Sequence, residues 1–299
     1  MDDITYFIII IVIVLLILIG IIIYIIYQQN LIPGNIIELN DNNKQMLNSK
    51  LKDFEIKLRH DYPLGDDYFN ITHGDNYYAF FERIGKIHMN LLIDNDEIVG
   101  SGCGVLRDVK YNNNKILATW YLCDLKIDPK YRGKHLPFKM LLSAKQKLNI
   151  SDKIYGITMN KNNDENKVVK LSKKIPLLDF KSGCRLMIYS IDYHTLLKIK
   201  YIIEKHRGPI SFLSLLNIKD LILKSTKAPL PLLHIQWDTK NINNIIEPIS
   251  GYTYMFCCPM NDPLYIELTK NNITTNSSAE VIQHNMDDVD WKFILTSDI

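Results

Sequence analysis

The chain has 299 residues, with 35 lysines and arginines against 33 aspartates and glutamates for a formal charge of +2. That balance, without a basic stripe carrying interleaved aromatics, argues against nucleic acid as a partner. Five cysteines without a CxxC pair (Cys103, Cys123, Cys184, Cys257 and Cys258) argue against a disulfide framework or a zinc site, and fit a reducing compartment.

In chain order, the first feature is an unbroken apolar run from Phe7 to Ile26, interrupted only by Gly20. About 20 residues rising about 1.5 Å each match a hydrocarbon core of about 30 Å, so residues 1–30 are expected to be a transmembrane anchor. The leader is Asp2-Asp3 rather than basic, and Gln28 to Pro33 offers no small-residue cleavage site, which disfavours a cleaved signal peptide. Lys44, Lys50 and Lys52 follow the run and no Lys or Arg precedes it, so a single-pass protein with a cytoplasmic body is expected. On that side the Asn-x-Ser/Thr sequons at Asn70, Asn149, Asn272 and Asn276 stay unmodified.

Residues 31–50 are expected to be a polar tether, broken at Pro33-Gly34 and Asp41-Asn42-Asn43, and Gln45–Leu58 has the apolar spacing of an amphipathic helix. The loop 59–75 holds His60, Asp61, Asp66, Asp67, His73 and Asp75 at spacings that match no metal-ligand pattern. No metal is expected; the loop is either solvated or a wall of an acceptor pocket. Tyr77–Ile93 and Glu97–Val109 read as strands around the turn Asp94-Asn95-Asp96, and a second turn at Tyr111–Lys115 precedes a third strand. Gly100, Gly102 and Gly104 alternate on one face of the second strand, which points to close packing.

The third strand is the chemically informative one. An apolar run from Trp120 to Ile127 breaks at Asp128-Pro129, passes a cationic turn Lys130-Tyr131-Arg132-Gly133-Lys134-His135, and leads into a predicted helix from Pro137 to Leu148. Strand, basic turn and helix N-terminus in that order make a phosphate site: the free amides of the first turn and the positive dipole end face the anion, and Arg132 and Lys134 add charge-assisted bonds. The alternative is a strand–turn–helix of an unrelated α/β protein whose turn happens to be basic.

Residues Leu125 to Lys134 resemble motif A of the GNAT superfamily of acyl-CoA-dependent acyltransferases. The resemblance implies that the backbone of Leu125 and Ile127 pairs with the pantetheine arm, and that the turn Arg132, Gly133, Lys134, His135, Leu136 and on to Phe138 holds the pyrophosphate. His135 and Pro137 stand where the family pattern has glycines, and Tyr121-Leu122-Cys123 with Arg132–Pro137 is also similar to the N-myristoyltransferase branch. Downstream, a strand over Lys153–Met159, a helix over Glu165–Lys174, Phe180 and a strand over Cys184–Ile191 resemble motif B, with Asn166 at its Asn position. Ser172 or Lys173 stands where many relatives carry the tyrosine that protonates the leaving thiolate, so Tyr189 or Tyr155 is the candidate acid. Asp124 is the candidate general base, with a salt-bridged edge residue as its structural alternative.

The expected fold is therefore an α/β mixed sheet, GNAT-like, over residues 51–206. Residues 207–299 are expected to be a smaller α/β or β-rich region, either a degenerate second half or an unrelated cap, with a helix over Ile210–Lys224 and strands over Leu232–Trp237, Tyr252–Cys258, Leu264–Leu268 and Trp291–Leu295. The expected function is a membrane-anchored N-acyltransferase moving a short acyl group, acetyl first, from acyl-CoA to an amine. The alternatives are a long-chain acyl donor and an inactive binding protein.

Overall fold

The computed structural model describes residues 11, 14–20, 34–58, 61–64, 67–112, 115–134, 136–144, 147, 152–160, 166–175, 178–237 and 244–299. Of the expected membrane segment, 11 and 14–20 are helical and exposed, and the rest lies outside the described residues. Among the described residues no helix is long and apolar enough to cross a membrane.

Part of the expected tether is folded. Asn35–Glu38 (β1) is an edge strand paired antiparallel with Lys86–Asp94 (β4), because its backbone continues the ladder at Ile36↔Leu92. Lys44–Lys57 (α1) buries Leu47, Leu51 and Phe54 on one face, as the apolar spacing predicted. The expected loop contains a hairpin, Tyr62–Leu64 (β2) and Asp67–Thr72 (β3). Tyr77 and Tyr78 form a turn rather than strand, and Ala79–Ile84 (α2) follows. Next come β4 and Glu97–Tyr111 (β5), joined by Asn95 and Asp96 at positive φ (48° and 63°), the conformation that a tight hairpin turn with the sheet's twist requires.

Lys115–Ile127 (β6) pairs antiparallel with β5 and parallel with Ile154–Met159 (β7). Between them run a short 3-10 turn, Pro129–Tyr131, and the helix Leu136–Ala144 (α3), on the predicted span, of which 145, 146 and 148 lie outside the described residues. After β7 come Lys167–Ser172 (α4), Lys181–Ile191 (β8) and Tyr193–Arg207 (α5). Helix α5 is capped by Asp192, whose side chain accepts from Thr195 N at 2.7 Å, and ends at Gly208 with φ +77°.

The helix expected over Ile210–Lys224 is instead two short strands, Ser211–Leu213 (β9) and Asp220–Leu223 (β10). The Gly208-Pro209 break and the positive φ of Asn217 (64°) turn the backbone too often for helix. Leu232–Gln236 (β11) and Thr253–Pro259 (β12) are strands as expected, but Leu264–Leu268 lies in a helix, Pro263–Lys270 (α6), begun by Asp262 accepting from Leu264 N with Pro263 next in line. Ser278–His284 (β13) is the final strand, and Trp291–Leu295 is irregular, with Trp291 at φ +57°.

The large mixed sheet has ten strands in the order β1-β4-β5-β6-β7-β13-β8-β12-β11-β9, with β10-β3-β2 forming a small separate sheet. Its centre is symmetric in role. β6 lies parallel to β7, and β11 lies parallel to β12. Each second strand is followed by a helix and then by a strand that crosses over: β13 lies between β7 and β8, and β8 between β13 and β12. Residues 207–299 thus contain the same strand, parallel strand, helix, strand order as the first half. Helices α3 and α4 cover one face of β6 and β7, with Trp120, Leu122 and Ile154 packed against Leu141 and Val169. Helices α1 and α2 cover the other, with Leu51, Phe54, Phe80 and Phe81 against Tyr121 and Tyr155.

Candidate active site

β6 and β7 pair only from Trp120↔Ile154 to Leu122↔Gly156. Gly156 allows the last contact, since a Cβ there would stand 3.2 Å from Leu122 O. Beyond it the strands part, so the β7-facing backbone groups of residues 123–127 are offered to something other than a neighbouring strand. Where they part, β6 is bulged. Cys103 faces Cys123 and Ser101 faces Lys126, so Asp124 and Leu125 together oppose Gly102, with Asp124 at φ +52°.

The extra residue changes the parity of the strand. In strict alternation Asp124 would share a face with Leu122, but the bulge leaves Cys123, Asp124 and Lys126 on the α1–α2 face. Leu125 and Ile127 are left on the α3 face. Leu125 is 50% exposed near Met140, and Ile127 packs with Leu136, Leu92 and Val99.

On the α3 side the turn after β6 is held by its own hydrogen bonds. The Asp128 side chain accepts from Lys130 N at 2.9 Å and starts the 3-10 turn, and Tyr131 OH donates to Asp94 Oδ2 at 2.6 Å. Arg132 is exposed, with Nε donating to Ile127 O at 3.3 Å. Gly133 has φ +79° with open space where a Cβ would stand, and Lys134 Nζ lies 5.0 Å from the centroid of the Tyr131 ring. His135 lies outside the described residues. Leu136 is fully buried, so its side chain serves the core; Phe138 is half-buried. Asn166 stands beyond the open end of β7. Its Oδ1 accepts from Val168 N at 3.1 Å and Val169 N at 3.4 Å, and its Nδ2 donates to Met159 O at 3.3 Å and Asn160 Oδ1 at 3.0 Å. It caps α4 and closes the turn after β7, so its side chain is already committed.

On the α1–α2 side the structure assembles a buried network that the sequence did not reveal. Tyr77 OH donates to Asp124 Oδ2 at 2.7 Å and accepts from Lys126 Nζ at 2.7 Å. Lys126 also pairs with Asp124 Oδ1 at 2.6 Å and Glu55 Oε1 at 3.1 Å. Glu55 Oε1 lies 2.6 Å from His73 Nδ1, and its Oε2 accepts from His73 N at 3.0 Å. Burial opposes charge on Glu55, but His73 and Lys126 outweigh it and hold the carboxyl down at about 2. Burial likewise opposes charge on Lys126, yet Asp124 and Glu55 hold its proton on. Burial lowers the pKa of His73, which is therefore the neutral donor to Glu55 through Nδ1.

The candidate base Asp124 is thus at the opening, but as a buried, ion-paired carboxylate. Tyr189, the candidate acid, is elsewhere: it stacks on Phe256 with ring centroids 4.7 Å apart, in the core of α5, α6 and β12. β8 has its own irregularity against β13, between Ser182 and Arg185, and the alternation beyond it sends Tyr189 into that core. Tyr155 is the tyrosine beside β6, stacked on Tyr121 at 4.8 Å, with its hydroxyl pushed up by burial. Glu55, His73, Tyr77 and Lys126 come from three separate elements, and no spacing rule joins them. Among the described residues no cluster of His, Cys, Asp and Glu could hold a metal ion.

The second parallel pair also parts. β11 and β12 pair from Leu232↔Thr253 to His234↔Met255, and the 3-10 turn Thr296–Asp298 fills the space beyond. Thr296 Oγ1 donates to Met255 O and lies 3.0 Å from His234 Nδ1, Gln236 Nε2 donates to Ser297 Oγ at 3.0 Å, and Asp298 pairs with Arg83 at 3.0 Å and Arg107 at 2.9 Å.

No known family model matches the sequence. The chain is 28% identical over 237 residues to the uncharacterized protein L340 of Acanthamoeba polyphaga mimivirus, covering 75% of this chain and 68% of that protein. Among solved structures it is similar to Arabidopsis thaliana NAA60 in complex with a bisubstrate analogue, at 14% identity, 51% of this chain, 87% of that chain and a TM-score of 0.34. It is also similar to Arabidopsis thaliana Naa50 in complex with the bisubstrate analogue CoA-Ac-MVNAL, at 21% identity, 54% of this chain, 87% of that chain and a TM-score of 0.30. Superpositions this loose assign nothing by themselves.

Proposed function

We propose that this chain is a GNAT-like N-acyltransferase that moves an acyl group, acetyl first, from acyl-CoA to an amine. One observation carries the reading: β6 and β7 pair in parallel for three residues and then part at a bulge, and the open end leads to a basic turn and a helix N-terminus. In the family that this stretch resembles, the pantetheine arm lies in that opening and the turn holds the pyrophosphate. Here Leu125 and Ile127 would offer backbone to the arm, and Arg132, Lys134 and the first-turn amides of α3 would hold the phosphates. The peptide groups that the bulge turns out of the ladder at Asp124 and Leu125 would polarise the thioester carbonyl, which lets positioning and backbone donors supply most of the catalysis. With Asp124 tied to Lys126, the acceptor amine has to arrive neutral, and Tyr155 is better placed than Tyr189 as an acid toward the thiolate.

The anchor at residues 7–26 belongs to the same proposal, with the body cytoplasmic. A mass shift of the full-length protein on endoglycosidase treatment would reverse that topology. A second reading, a long-chain donor, is favoured by one observation: residues 207–299 hold a complete second β-α-β unit.

The test is binding to the full chain in detergent micelles. CoA or acetyl-CoA at about 100 times its dissociation constant should stabilise the fold by about 2.7 kcal/mol. Arg132→Glu, which replaces an exposed cation by an anion beside the phosphates, should remove that stabilisation without lowering the melting temperature of the free protein. Unchanged affinity in this variant ends the phosphate-loop assignment, and myristoyl-CoA binding about 100-fold tighter than acetyl-CoA, about 2.7 kcal/mol, decides for the long-chain donor.

A further inference from the structure

Asp124 holds a backbone conformation that an L residue adopts only under constraint. It is the first residue of the bulge in β6, at φ +52°, the position at which a bulge with left-handed backbone normally carries glycine. A residue with a Cβ persists there when its surroundings over-determine it, and here they do. The side chain is 5% exposed and tied at both oxygens, Oδ1 to Lys126 Nζ at 2.6 Å and Oδ2 to Tyr77 OH at 2.7 Å. Lys126 is itself held by Glu55 at 3.1 Å, and Glu55 by His73 at 2.6 Å, so the tie runs through α1 to the residue after β3.

The backbone of Asp124 is tied as well. Its carbonyl accepts from Ser101 Oγ of β5 at 3.2 Å, and Ser101 is fully buried. β5 and β7 flank β6 on opposite sides. In a planar trans peptide the carbonyl and the N–H that follows it point in opposite directions. The bond that turns the Asp124 carbonyl toward β5 therefore turns the Leu125 N–H toward β7. Pairing with β7 ends at Leu122, so that N–H points into the opening between the two strands.

We propose that Asp124 is a positioning residue rather than the general base: its tethered carboxylate holds the bulge that aims the Leu125 N–H at the carbonyl oxygen of a thioester in the opening. The inference rests on the acyl-CoA reading above and narrows it, because of the peptide groups at the bulge it assigns the polarising role to the one between Asp124 and Leu125. Both oxygens of Asp124 are already engaged, so Tyr77, Lys126, Glu55 and His73 serve the geometry of the strand. Ser101 fixes the same peptide from the β5 side. The catalytic group is then a backbone amide, and the buried charges around it set its direction.

The experiment binds acetyl-CoA with an isotope-labelled carbonyl to the full chain in detergent micelles and reads the thioester C=O stretch by difference infrared spectroscopy, with calorimetry for affinity. A directed hydrogen bond lowers the stretch below its value in buffer, and the parent protein should show that shift. Asp124→Ala unties the side chain but keeps a Cβ in the strained position, so it should lose the shift while binding CoA as the parent does, through the basic turn and α3. Asp124→Gly takes up the bulge conformation without a tether and should restore it. A base or a charge acting at the carbonyl would be lost equally in the two variants. Should Asp124→Ala fail to fold, Ser101→Ala, which removes one hydroxyl, should weaken the shift on the same readout. Acetyl-CoA bound with its stretch unmoved from buffer, a full shift in Asp124→Ala or Ser101→Ala, or a shift lost in Asp124→Gly overturns the inference and leaves the cofactor reading standing. No binding of CoA or acetyl-CoA to the parent overturns both.

Discussion

Lys126 stands between two carboxylates and a tyrosine hydroxyl, and the pH response of the fold should register that arrangement through Glu55. A carboxyl held at about 2, against an ordinary value of 4.5, contributes stability that is present above 4.5 and is lost as pH falls toward 2. Glu55→Gln should therefore be less stable than the parent at neutral pH by about 3 kcal/mol, with the gap closing as the pH drops. Denaturant titrations across that range measure it, and a gap independent of pH would mean that Glu55 is not ionised in the fold. Sequence reasoning found Asp124 and missed its partners for a definite reason. A single extra residue in β6 decides which face carries the pair: strict alternation keeps Asp124 and Lys126 together but puts both on the α3 side, away from Glu55, His73 and Tyr77.

The elements that were legible are those with local signals: the Asn95-Asp96 turn, the α1 stripe, the break at Asp128-Pro129 and the basic turn. Those that were not had competing signals. Leu264–Leu268 has the apolar content of a strand, yet Asp262 and Pro263 make a helix start, and the capping residue rather than the hydrophobic run decided the outcome. Residues 210–224 have helical apolar spacing, but the loop between β9 and β10 has to lie against Gly74. That contact gives a sharp test. Gly74 has φ +47°, and any Cβ there meets the carbonyl of Asn217, so Gly74→Ala should displace the loop and cost at least about 2 kcal/mol. Alongside the lower melting temperature, proteolysis should open between β9 and β10. A fully stable Gly74→Ala protein would show that the loop is not held there. Asn166→Ala should cost about 1 kcal/mol through the lost cap of α4.

For the molecule as a whole, the two openings in the sheet have different fates. The one between β11 and β12 is closed by Thr296–Asp298, so calorimetry should find a single acyl-CoA per chain, and a second equivalent would mean that the turn lifts out. Asp298 is the latch. It is itself buried and pairs with the exposed Arg83 of α2 and the part-buried Arg107 of β5, and Asp298→Asn, which leaves the Arg107 guanidinium without its countercharge, should cost about 3 kcal/mol in a denaturant midpoint. The exchanged strands carry a further consequence, for the order of events during synthesis. β7 and β8 do not touch; β13 lies between them. The first half therefore lacks its middle strand until residues 278–284 have left the ribosome, and its two flanking edges stay unpaired through the translation of everything between. A chaperone that shields bare strand edges, or a stalled chain that aggregates when halted before residue 278, is what this topology asks for, and ribosome-bound chains of increasing length would show protease resistance arriving late and all at once.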